Sequence, residues 1–133
     1  MAHSIGELSP QARELLREYH LASLATLRSD GTPHVVAVGF TFDPEAGLAR
    51  VITVDGSQKV RNVERSARAS LTHVDGPRWL TLEGPARVVR EPAAISDAER
   101  RYADRYREPR PNPQRVVIEV TLTRAMGSAG MFA

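Results

Sequence analysis

The chain has 133 residues, 41% hydrophobic and 26% charged, the length and mixture of one globular domain with a single ordinary core. Eighteen basic against sixteen acidic residues leave a formal charge of +2, too small a surplus to expect nucleic acid as a partner. It contains no cysteine, which excludes disulfides, thiolate nucleophiles, thiolate zinc sites and cysteine-held iron–sulfur clusters.

In chain order, the first predicted element is a helix over 9–19. Ser9 caps it, Pro10 fits its first position, and Ala12, Leu15, Leu16 and Tyr19 share a face. Two β-rich runs, 21–28 and 34–43, flank Ser29-Asp30-Gly31-Thr32 and read as a hairpin. After a turn at Pro44 to Gly47, Leu48 to Val54 adds a third strand and makes a meander. Asp55-Gly56-Ser57 interrupts the strand pattern, and Lys59 to Arg65 makes a short helix with Val60 and Val63 inward. Ala69 to Val74 is a fourth strand, Asp75-Gly76-Pro77 a turn, and Arg78 to Arg90 a long fifth strand that bulges or bends at Gly84. Ser96 to Glu99 forms a capping box that opens a polar helix to Tyr106, with Tyr102 and Tyr106 on the face that packs and arginines on the solvated faces. A proline-rich connector, Glu108 to Pro113, leads to a last, half-buried strand, Arg115 to Arg124, with Val116, Ile118, Val120 and Leu122 on its inner face. Six strands with short helices at the corners predict one antiparallel β-barrel domain over residues 1–133. No apolar run approaches the ~18 residues of a membrane span, and the start has no signal-peptide pattern. The expectation is a cytoplasmic protein with no membrane partner.

Neither a Walker loop nor a His-Glu-x-x-His run occurs, and no Gly-x-Gly-x-x-Gly follows a strand. His3, His20, His34 and His73 do not pair at ligand spacing, so no metal site is expected. The informative segment is Ile52 to Gly84. Of the eighteen basic residues seventeen are arginine, and Lys59 alone is lysine. It stands with Ser57, Arg61 and Asn62 where a strand ends and a helix begins. Free N–H groups, a hydroxyl, an ammonium and a guanidinium are the parts of a phosphate site. A solvated turn with a basic helix accounts for the same residues. Trp79, the single tryptophan, reads either as a core or interface residue or, beside Arg78, as the wall of a flat ring ligand.

The order of these pieces resembles the pyridoxamine 5′-phosphate oxidase-like split β-barrel family. The pattern is carried by Ser57-x-Lys59, Asn62, Arg68-Ala69-Ser70-Leu71, Arg78 and Glu83-Gly84, preceded by Leu24-Ala25-Thr26-Leu27 and Asp30-Gly31-x-Pro33-His34. The chain is far shorter than the true oxidases and lacks their C-terminal arm. It is most similar to the short actinobacterial members that use the deazaflavin F420, through His34 to Pro44, Gly56 to Lys59, Val74-Asp75-Gly76, Arg78-Trp79-Leu80, Arg105-Tyr106-Arg107 and Pro109 to Val120. Arg61 departs from those sequences, where a non-basic residue stands.

The resemblance implies a mainly β split barrel, with short helices, that pairs as a homodimer and holds F420, or alternatively FMN, in a groove between two chains. It implies that the strand His34, Val35, Val36, Ala37 and Val38 runs beside the deazaflavin ring. Gly56, Ser57, Gln58, Lys59, Arg61 and Asn62 would hold the phosphate, and Arg78, Trp79 and Leu80 would come from the neighbourhood of the second subunit. The implied activity is an F420H2-dependent reductase passing a hydride to a conjugated tetrapyrrole, biliverdin to bilirubin. An FMN-dependent oxidoreductase and a non-catalytic flavin, F420 or haem carrier are the alternatives. The substrate's two propionates would favour an arginine-lined cleft, and the cofactor's polyglutamate tail would reach surface arginines. No catalytic acid is assigned: His34 is weighed against a ring-packing role for the same side chain.

Overall fold

Ser9 caps α1 (Pro10–Leu15): the Ala12 N–H donates to Ser9 Oγ at 3.1 Å, and Ala12, Leu15 and Leu16 are buried. In this computed structural model, which describes residues 2–133, the helix stops at Leu15, short of the expected Tyr19. Tyr19 therefore leaves the buried face; it is 61% exposed and meets Tyr106 edge-on.

The hairpin forms as expected from β1 (Ala22–Leu27) and β2 (Pro33–Val38), with Ala22 opposite Val38 and Leu27 opposite Pro33. The second run is not one strand. It breaks at Gly39-Phe40 and resumes as β3 (Thr41–Asp43), which pairs with β4 (Leu48–Val54). The cause lies far along the chain. A Cβ on Gly39 would stand 2.9 Å from the Tyr102 ring and 3.0 Å from that of Tyr106, and Phe40 turns fully inward. The expected meander is thus divided between two sides of the molecule.

Helix α2 (Gln58–Ser66) buries Val60 and Val63 as its spacing predicts, and ends at Ala67 in the left-handed region, φ 57°. The strands β5 (Arg68–Asp75) and β6 (Arg78–Val89) pair from Asp75–Arg78 back to Arg68–Pro85. Beyond Pro85, β6 changes partner to β7 (Arg115–Thr121). The predicted bend at Gly84 marks this change: a Cβ there would lie 1.8 Å from the Thr121 carbonyl oxygen, so only glycine lets the two backbones approach. A further strand unseen in the sequence, β8 (Arg124–Gly127), flanks β6, so the described residues form eight strands where six were expected.

The strand order is β2-β1-β5-β6-β7-β4-β3, with β8 beside β6. The two ends of that path are the halves of one bent segment, so the curled sheet closes through the chain itself at Gly39-Phe40. Leu24, Phe40, Val51, Leu71, Leu82 and Ile118 fill its interior. Helix α3 (Pro92–Arg105) starts at Pro92, a favoured first position, and not at the Ser96 box, which falls inside it. With Val89 and Ala98, Val117 forms a second small cluster under α3. β7 is consequently buried on both faces instead of one, with Val116, Ile118 and Val120 in the main core. No helix among the described residues is long and apolar enough to cross a membrane.

Candidate functional site

β4 delivers the chain to Asp55, and Gly56, at φ 79°, turns it into α2. Ser57 N–H donates to Val54 O at 3.2 Å, and the first helical hydrogen bond is Arg61 N–H to Ser57 O at 3.0 Å. The N–H groups of Gln58, Lys59 and Val60 therefore precede the ladder and carry the positive end of the helix. Ser57 occupies the N-cap position, yet its hydroxyl makes no cap bond; Ser57 Oγ is buried with no hydrogen-bond partner among the described residues. Leaving such a group unsatisfied costs about 1–3 kcal/mol. Lys59 is half-buried, makes no ion pair among the described residues, and burial pushes its ammonium below the ordinary lysine range.

The loop's own acid, Asp55, is paired with an arginine. Arg90 holds both Asp55 oxygens, at 2.8 and 3.1 Å, and reaches Glu64 at 3.1 Å. That pairing keeps the Asp55 carboxyl below the usual carboxylate range. What the loop presents is a hydroxyl, helix-end N–H groups and an ammonium, with its own acid Asp55 taken up by Arg90, a donor set that fits a phosphate.

Arg61 and Asn62 serve the loop from other directions. Arg61 donates to Gly56 O and to Gln58 Oε1, at 2.7 Å each, and braces the turn. Asn62 is fully buried: its Nδ2 donates to Thr26 Oγ1 at 3.0 Å, and its Oδ1 accepts from Gln58 Nε2 at 2.7 Å and Arg65 Nη2 at 3.1 Å. It fastens α2 to β1 from inside.

Beside the loop lies a cavity of about 480 Å³, within the range of small-molecule sites. Lys59, Ala37 and Val38 at the end of β2, and Thr53 and Val54 of β4 line it together with Arg107, Arg110 and Arg115. Along β2 the side chains of Val35 and Ala37 are exposed, while His34 and Val36 are half-buried and Val38 is buried. β2 ends the strand path, so one edge of its backbone is unpaired. His34 Nδ1 is buried without a partner among the described residues, and burial, then the charges of Arg28 and Lys59, push the imidazole below its ordinary value. The ring is neutral near pH 7 and suits hydrogen bonding better than acid catalysis.

Arg78, Trp79 and Leu80 do not line this cavity within the chain. Leu80 is in the core, Trp79 N–H donates to Ser128 Oγ at 3.0 Å, and Arg78 Nη2 donates to Glu18 Oε1 at 3.0 Å and to Asp75 Oδ2. Glu18, His20 and Asp75 bring three ligand atoms within 4.8 Å of one another. Arg78 bridges both carboxylates, which makes this an ion-pair cluster. Sequence reasoning missed Arg107, Arg110 and Arg115 as cavity residues. Of the three only Arg110 stands between prolines in the segment read as a connector; Arg107 precedes that segment, and Arg115 opens the last predicted strand.

Residues 8–127 match the Pyridoxamine 5′-phosphate oxidase family. Over 132 residues the chain is 58% identical to the F420H(2)-dependent biliverdin reductase of Mycobacterium tuberculosis (strain CDC 1551 / Oshkosh), covering 99% of this chain and 96% of that protein. Among solved structures, an F420 reductase superposes with a TM-score of 0.71 at 28% identity, covering 86% of this chain and 94% of the other. A conserved hypothetical protein from Mycobacterium tuberculosis superposes with a TM-score of 0.76 at 24% identity, covering 95% of this chain and 89% of the other, a likeness of fold alone.

Proposed function

The chain belongs to the pyridoxamine 5′-phosphate oxidase family, and on that premise we propose that it is an F420H2-dependent reductase that converts biliverdin to bilirubin. The observation that carries the reading is 58% identity to a reductase of that name along 99% of the chain. The loop at Ser57 supports it independently, because a buried hydroxyl without a partner and a desolvated, unpaired lysine suit the phosphate of such a cofactor.

Reduced F420 held by these residues would supply the hydride, and solvent the accompanying proton, for reduction of biliverdin to bilirubin. The chain's own residues bind and orient. Ser57 Oγ, the Lys59 ammonium and the N–H groups of Gln58 to Val60 hold the phosphate, with Gly56 shaping the turn and Arg61 bracing it. The unpaired backbone edge of His34 to Val38 offers N–H and C=O groups to the polar rim of the ring, and the neutral His34 imidazole offers a further hydrogen bond. Val35, Val54 and Val74 leave 57%, 45% and 63% of their surface exposed, and we take a second copy of the chain to cover such apolar surface as a homodimer. Arg78 and Trp79, apart from the cavity in one chain, then approach it from the partner subunit.

Separate titrations with F420 and FMN test the assignment. F420 should bind more tightly. Protein that purifies saturated with FMN and ignores F420 overturns it.

A further inference from the structure

The connector after α3 is a strap and not a loose loop. Pro109, Pro111 and Pro113 alternate with Arg110 and Asn112, and each proline fixes its own φ and restricts the residue before it. Both ends are tied down. At one end Arg105 donates to Glu18 O at 2.8 Å and Phe40 O at 2.7 Å, and the Tyr106 hydroxyl donates to His20 O at 2.6 Å. At the other end Gln114 N–H donates to Asn112 Oδ1 at 2.9 Å. Arg115 meets Arg110 O at 2.7 Å and Glu99 Oε2 at 2.5 Å.

Between these anchors Arg107 and Arg110 are exposed and line the same cavity as Lys59, with one acid, Glu108, between them in sequence and on the same lining. Their guanidinium groups make no hydrogen bond and no ion pair among the described residues. Arg115, on the same cavity, shows the contrast: its guanidinium is already taken up by Glu99 and the Arg110 carbonyl. Two uncommitted planar cations on a stiff, anchored segment lose little freedom on binding and match carboxylates bidentately.

We propose that Arg107 and Arg110 form a carboxylate-binding subsite on the cavity wall, separate from the phosphate loop at Ser57 and Lys59. The subsite takes a ligand with at least two carboxylates. The identity of that ligand rests on the reductase reading, which offers two sources: the propionates of biliverdin and the glutamyl tail of F420.

The test compares the parent protein with the Arg107→Gln/Arg110→Gln double variant, in which two exposed side chains change and the unfolding midpoint should hold. Four ligands are titrated into each: biliverdin, its dimethyl ester, F420 with its glutamyl tail, and F420 with the tail removed. The expected result is a roughly ten- to hundredfold loss of biliverdin affinity in the variant, with the ester and both cofactor forms unmoved. A loss confined to tailed F420 upholds the subsite and assigns it to the cofactor. The subsite is wrong if the variant binds all four as the parent does, if each ligand and its counterpart lacking those carboxylates weaken together, or if the parent itself ignores the carboxylates. A parent that shows the charge-dependent pattern yet transfers no hydride upholds the subsite and overturns the reductase reading instead.

Discussion

Replacing Lys59 with alanine removes the one ammonium at the start of α2, and neither nearby arginine is placed to substitute. Arg61 is bound to Gly56 O and Gln58 Oε1 at 2.7 Å each, and Arg90 is committed to Asp55 and Glu64. Losing one charge-assisted hydrogen bond to a phosphate costs about 1.5–3 kcal/mol, a roughly ten- to hundredfold rise in the Kd for F420. The committed neighbours favour the upper half of that range. The free protein should respond in the opposite sense. Lys59 is half-buried and unpaired, and burial lowers its pKa, so its charged form is disfavoured in the empty site and the variant should unfold no earlier than the parent. Lys59→Arg keeps the charge and should retain part of the affinity. Fluorescence titration with F420 and thermal unfolding of the cofactor-free protein read the two effects separately, since a variant damaged in folding would lose both. Added salt should weaken F420 binding more in the parent than in Lys59→Ala. If Lys59→Ala binds F420 as tightly as the parent, the phosphate assignment fails and the segment is a solvated basic turn.

Ala67 ends α2 at φ 57°, a conformation costly for an L-residue and free for glycine, so Ala67→Gly should raise stability by about 0.5–1 kcal/mol, read as a higher urea midpoint at unchanged slope. His73 is 3% exposed, neither ring nitrogen has a partner among the described residues, and burial, followed by the charge of Arg105, pushes its pKa from 6.5 to about 4. The unfolded chain takes the proton first, so stability should fall as pH drops below about 6.5, by roughly 1.4 kcal/mol per unit until about 4. His73→Leu should flatten that slope between pH 6.5 and 5 in chemical denaturation; an unchanged slope would assign it to other groups. Light scattering should give twice the mass of one chain, and a stable monomer that binds F420 at micromolar concentration would contradict the shared groove.

The features legible in the sequence are those set by short-range physics. The helical period placed Val60 and Val63 inward, β4 begins and ends where the apolar run does, and Gly84 marked a bend because a missing side chain inside a strand is itself a signal. Features set by distant packing were hidden. The break at Gly39-Phe40 comes from the rings of Tyr102 and Tyr106, and the second buried face of β7 comes from α3 lying on it. The candidate site divides the same way. Ser57 and Lys59 could be read as a donor cluster because they adjoin one turn. Asn62 shares that turn but points into the core, where Thr26 lies on another strand. Arg107 and Arg110 reach the cavity only because the strap is anchored to β7 and to the loop before β1, which no local pattern encodes.

Hydride transfer from reduced F420 to biliverdin can be followed directly. Under anaerobic conditions, biliverdin added to the protein with F420H2 should restore the visible absorbance of oxidised F420 and release bilirubin in equimolar amount. Protein that binds F420H2 but leaves biliverdin unreduced, or that reduces it only with reduced FMN, would contradict the claim.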